Sequence, residues 1–180
     1  AAPEDAAPPI PPDGGTIAFS FQGDLWTVPS TGGAATLLTT SEAYERSPVW
    51  SHDGKWLAFA SDRHGNMDVF IMPATGGPAT RLTEHSADDI PSDFTPDNKH
   101  VLFSSSRMHS TADRQFPGRG FGELYQVSIN GGKALQLIST AAVNAHYSPD
   151  GNTVVYQDKK GFENNFRKHH TSSVTRDIWT

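Results

Sequence analysis

The residues best able to do chemistry cluster near the carboxyl end, where Arg167, Lys168, His169 and His170 run together and Arg176 follows. From Asp158 to Thr180 five Lys or Arg stand against three acids, a net charge of +2. The whole chain carries −6, so the first 157 residues hold −8. A basic loop on an acidic body attracts carboxylates or phosphates. These five residues are therefore the candidates for contacting a peptide or docking a neighbouring domain.

Other chemistry is poorly signposted. His169 and His170 are adjacent, and in an extended segment adjacent side chains point to opposite faces, so they would not chelate one ion together. His52, His64, His85 and His100 fall at turns or strand edges, where surface polarity accounts for them. There is no Gly-x-Ser-x-Gly elbow, no phosphate loop and no His-Glu-x-x-His. Gly118-Arg119-Gly120-Phe121-Gly122 lacks the spacing of a nucleotide loop and reads as a flexible hairpin tip. Arg63 and Arg107 recur after equivalent strands, which suggests a repeated structural hydrogen-bonding role. No catalytic, cofactor-binding or metal-ligating residue is expected.

The elements that must position the basic cluster are repeats. An Asp stands six residues before an aromatic four times: Asp13 and Phe19, Asp53 and Phe59, Asp97 and Phe103, Asp150 and Tyr156. An acid, an aliphatic and an aromatic follow, as Asp24-Leu25-Trp26, Asp68-Val69-Phe70, Glu123-Leu124-Tyr125 and Asp177-Ile178-Trp179. Gly-Gly turns close three copies, at Gly32-Gly33, Gly76-Gly77 and Gly131-Gly132. A period of about 40 to 50 residues is the mark of propellers and solenoids.

Within the repeat from Ser47 to Thr83, Asp-Gly and Gly-Gly pairs bound short apolar runs, so consecutive strands should pair antiparallel. Four strands are expected, around Pro48 to Ser51, Trp56 to Ser61, Asp68 to Met72 and Ala79 to Thr83. The fold class is all-β: an incomplete β-propeller of about four blades of four antiparallel strands, with no catalytic domain. Residues 1–12 read as a disordered Pro/Ala-rich tail, and the blades as about 13–40, 41–83, 84–140 and 141–180. The first blade shows three strands. The last lacks its Gly-Gly turn, so the ring is expected to be open and its end blades to expose apolar flanks through which two chains could dimerise.

Spacing also locates two insertions. Asp24 to Asp68 is 44 positions, whereas Asp68 to Glu123 is 55 and Glu123 to Asp177 is 54. The extra residues fall at the same hairpin of the third and fourth copies, between Met108 and Gly122 and from Lys159 to Ser173. Insertions on one face of such arrays often form the binding face.

Ser-Pro-x-Trp-Ser-x-Asp-Gly, an aliphatic-Ala-Phe strand, Asp-aliphatic-aromatic, Gly-Gly and Leu-Thr together resemble the propeller repeat of TolB and of the Tricorn protease. The segment from Phe166 to Trp179 is similar to part of the first propeller of Tricorn-like serine peptidases. The resemblance implies a large parent enzyme in which propellers handle peptides or unfolded segments ahead of a PDZ-like domain and a serine-peptidase core. This chain would then be non-catalytic, with the downstream domains among its partners. A TolB-like periplasmic scaffold and the propeller of a prolyl-oligopeptidase-like enzyme are the alternatives, though TolB-like chains place an α/β domain before the propeller.

Composition bounds the remaining classes. A pI near 5.7 without a basic stripe argues against nucleic acid. No apolar run of membrane-spanning length occurs. Cysteine is absent, which excludes disulfides and thiolate zinc sites. The Ala/Pro-rich start fits a mature periplasmic or secreted chain, with the cytoplasm as the alternative.

Overall fold

A computed structural model describes residues 11, 13–107, 122–157 and 178–180. Among these there are fourteen strands and no helix. Sheet one is β1 (Thr16–Phe21), β2 (Asp24–Pro29) and β3 (Thr36–Leu37). Sheet two is β4 (Glu45–Trp50), β5 (Trp56–Ser61), β6 (Asp68–Pro73) and β7 (Thr80–Arg81). Sheet three is β8 (Asp89–Phe94), β9 (His100–Ser105), β10 (Glu123–Ser128) and β11 (Leu135–Ile138). Sheet four is β12 (Val143–Tyr147), β13 (Val154–Gln157) and β14 (Ile178–Trp179). Every pairing is antiparallel between chain neighbours. This is the incomplete four-bladed propeller expected from the repeat.

The turn chemistry explains the regularity. Ser51 Oγ donates to Asp53 Oδ1 at 2.7 Å and accepts from the Trp56 amide, while Asp53 Oδ1 also accepts from the Lys55 amide. Thr95 with Asp97, and Ser148 with Asp150, build the same turn. The residue after each Asp has a positive φ: 69° at Gly54, 58° at Asn98 and 72° at Gly151. Only Gly or a short polar side chain enters that region at low cost. The outer strands of sheets one and two are extended by a recurring threonine: Thr39 Oγ1 accepts from the Leu25 amide, and Thr83 Oγ1 from the Val69 amide.

Strand alternation then assigns each side chain to one of two interfaces. Leu57, Phe59, Phe70 and Met72 face sheet one, where they meet Ala18, Leu25 and the sheet-two residue Trp50. Ala58, Val69, Ile71 and Leu82 face sheet three, against Phe94, Val101, Phe103, Tyr125 and Val127. Leu102 and Leu124 turn the other way, to Ala142 and Ala145 of sheet four. Sheet two offers its larger side chains to sheet one and its smaller ones to sheet three, and each interface interlocks side chains of two sheets. The core is a series of slabs between blades rather than one central mass.

Two details depart from the sequence reading. The inner strand of sheet two begins at Glu45, not near Pro48, because a bulge between Arg46 and Val49, with Ser47 at φ 54°, interrupts its alternation. The outer strand is only Thr80–Arg81, shorter than expected. Both differences lie where side-chain pattern and backbone pairing part company.

Candidate functional site

Arg167, Lys168, His169, His170 and Arg176 all lie outside the described residues, as does nearly all of both insertions. The described structure shows the base of the equivalent hairpins in sheets two and three. In sheets two and three the rung beside the hairpin is acid, serine, acid: Glu45, Ser61 and Asp68 pair across adjacent strands, and so do Asp89, Ser105 and Glu123. Glu45, Asp68 and Asp89 are fully buried, and Glu123 nearly so. Buried carboxylates persist only when paired or hydrogen-bonded.

An arginine eighteen residues downstream supplies each first acid. Arg63 binds Glu45 through Nε and Nη2, both directed at Oε1. Arg107 grips both oxygens of Asp89. Each guanidinium also lies over the aromatic pair of its sheet. Arg63 stands 5.8 Å from the Phe59 ring centre and 5.1 Å from that of Phe70. Arg107 stands 4.9 Å from Phe103 and 5.4 Å from Tyr125. The repeated arginines are structural, as their spacing suggested, and they clamp the base of each hairpin.

The second acids are held differently. Asp68 takes two bonds from Arg81, yet burial still raises its pKa, with the nearby charge of Asp89 adding to the effect. Glu123 Oε2 accepts from the Tyr125 hydroxyl at 2.6 Å and from Gln136. Burial and that contact push the Tyr125 phenol well above its ordinary range.

A third constellation was not foreseen. His52 Nε2 donates to the Phe94 carbonyl at 2.9 Å and lies 3.5 Å from Asp93 Oδ1. His146 Nδ1 lies 3.8 Å from Asp93 Oδ2, which accepts from the Tyr147 amide at 2.8 Å. Three inner strands or their turns meet at one carboxylate. The histidines assigned to surface polarity need correcting more widely: His64 stacks on Phe70, and His85 Nδ1 accepts from the Ala87 amide. The signal was the equivalence of Asp93 and His146 in the repeat, at a position where sheet two has Val49. The contacts that assemble the constellation join His52 to the Phe94 carbonyl, 42 residues away, and Asp93 to the Tyr147 amide, 54 residues away, beyond the reach of local pattern.

Antiparallel blades that interlock face to face define a β-propeller module. The chain matches the model of the Tricorn protease N-terminal beta propeller domain over residues 8–180, and it belongs to that family. Among solved structures it is similar to a putative TolB from Agrobacterium tumefaciens, 28% identical with a TM-score of 0.68, over 86% of this chain and 55% of that one. TolB from Acinetobacter baumannii is 20% identical, with a TM-score of 0.67 over 96% of this chain and 39% of that one. A chain of a nidogen/laminin complex shares the fold at 12% identity and a TM-score of 0.61, over 88% of this chain and 58% of the other. The chain therefore spans about half the length of the structures it matches. Among the described residues no helix is long and apolar enough to cross a membrane.

Proposed function

We propose that this chain is the non-catalytic propeller portion of a Tricorn-like serine peptidase, in which it gates or channels peptide substrates or docks neighbouring domains. The family match over residues 8–180 carries the reading. The Arg107 clamp supplies a rigid base for the lengthened hairpin of the third repeat, and Arg63 does the same for the short hairpin of the second. The basic residues Arg167 and Lys168, with His169, His170 and Arg176, are the proposed contacts for peptide carboxylates or an adjoining domain. In the full-length enzyme, Arg167→Ala with Lys168→Ala lowers peptide kcat/KM or weakens assembly. If both stay at the wild-type level, neither role stands.

The free flanks take further protein surface in this reading. Ala18 and Leu25 of sheet one face sheet two, so alternation turns Ile17, Phe19 and Phe21 away from it, and Phe21 is 54% exposed. Ile178 of sheet four is 72% exposed. These faces suit downstream domains of the parent chain or a second copy, and light scattering on the 180-residue chain distinguishes a monomer from a dimer. A TolB-like protein-binding scaffold in the periplasm is the second reading, favoured by the 28% identity to the Agrobacterium protein. Retention on an immobilised lipoprotein partner, with no effect on peptide turnover in the parent, would favour the scaffold.

A further inference from the structure

We propose that His52, Asp93 and His146 form a proton-controlled clasp across sheets two, three and four, closing when the two imidazoles are protonated and relaxing when they are neutral. The geometry is specific. Each oxygen of one carboxylate faces a different ring, at 3.5 Å and 3.8 Å. Both separations are within ion-pair reach and too long for good neutral hydrogen bonds. The Asp93 side chain is 9% exposed, whereas those of His52 and His146 are 41% and 62% exposed. The carboxylate is shielded while both rings are open to solvent.

Among the described residues, the ion-pair partners of Asp93 are these two rings. In the flanking turns Asp53 is matched by Lys55 at 3.1 Å, and Asp97 by Lys99 at 3.6 Å. Asp150 is held by Ser148 and Asn152. The Tyr147 phenol is pushed upward by burial, then by Asp93 and Asp97, and stays neutral in the histidine range. At the opposite end of these strands Glu45 is bound by Arg63, Asp89 by Arg107, and Asp68 by Arg81. His100 opens β9 and is half-buried.

Asp93 already links two edge strands without protonation, since it accepts from the Phe94 amide of β8 and the Tyr147 amide of β12. His52 adds a neutral link from the turn of sheet two to the Phe94 carbonyl. Protonation changes the arrangement by placing a positive charge on each side of the carboxylate. Histidine is the side chain whose charge changes between about pH 5 and 8. The added attraction is therefore present on the acid side of that range and lost as pH rises through it.

The test compares thermal unfolding of the 180-residue chain with that of His52→Gln, His146→Gln and the double variant, at about pH 8 and about pH 5.5. The wild-type chain should gain over the double variant on acidification, with the Tm gap widening by about 2–4 °C. The widening should shrink in about 1 M salt, because both rings are exposed and screened. Each single variant should lose part of it. Asp93→Asn should abolish it. Because Asp93 also accepts two backbone amides and its loss can unfold the chain, the histidine variants carry the test. A Tm gap that is the same at both pH values, or that narrows on acidification, overturns the proposal.

Discussion

Sheets two and three are built on one plan, yet they secure their buried acids differently. In sheet two Arg63 directs both its nitrogens at a single oxygen of Glu45, and Glu45 Oε2 is buried without a hydrogen-bond partner. In sheet three Arg107 spans both oxygens of the shorter Asp89. Among the described residues the second acids also differ: Asp68 accepts from Arg81, and Glu123 Oε2 accepts from the Tyr125 hydroxyl and the Gln136 amide. The repeat therefore preserves the position of charge rather than the identity of its partner. A blade tolerates such exchange because each acid needs a donor at one place, and several side chains can reach it.

The sharpest way to break this comparison is to remove the arginines. Arg107→Ala strands Asp89 in a fully buried site and should cost about 3–5 kcal/mol. Arg63→Ala should cost less, about 1–3 kcal/mol, because Glu45 has one more methylene with which to reach water past the vacated side chain. Urea unfolding of both variants gives the order directly. An equal or larger loss for Arg63→Ala would show that the longer Glu45 side chain gains no route to water.

Next in size is the turn of sheet four. Gly151 has φ 72°, and a Cβ there would lie 2.8 Å from Pro96 Cγ in sheet three. Gly151→Ala should destabilise the chain by about 1–3 kcal/mol through strain and that contact. The equivalent Asn98 already holds φ 58° with a side chain, and its Oδ1 accepts from the Asp53 amide. Asn98→Ala should therefore lose less than Gly151→Ala. A reversed order in chemical denaturation would mean that the Pro96 contact is easily relieved.

The smallest effect separates the two acid types by pH. Asp53 and Asp97 lie below the ordinary aspartate value, first through the hydroxyls of Ser51 and Thr95. Their contribution is present above the unfolded value and lost as pH falls through the folded one. Asp68 has the opposite sign: burial raises it, so its contribution is present below the unfolded value and lost as pH rises. Thr95→Val should flatten the acid-side loss of stability by less than about 1 kcal/mol, since Asp97 is half-exposed. A steeper acid limb in that variant would contradict the assignment.

Much of this fold was legible because its signals are local. The Ser/Thr-x-Asp turns, the Gly-Gly pairs and the two-residue alternation fix where strands begin and which side chains share a face. The bulge after Arg46 was not legible, since backbone pairing there runs against the apolar pattern. The structural role of Arg63 and Arg107 could be read from their recurrence, but not their acids, which lie on strands that carry little apolar signal. The basic candidates Arg167 to His170 and Arg176 lie outside the described residues and remain proposals from charge and family resemblance.

The repeat, the antiparallel pairing of successive strands and the blade order follow from the amino-acid sequence. These follow from backbone hydrogen bonding and side-chain period, which act over a few residues. The meeting of His52, Asp93 and His146, and the forked grip of Arg107 where Arg63 binds one oxygen, come from the folded chain. The first depends on how sheets stack, which sets the turn of sheet two against Phe94, 42 residues on, and Tyr147 against Asp93, 54 residues back. The second depends on the side-chain geometry of an acid and an arginine 18 residues apart on one sheet.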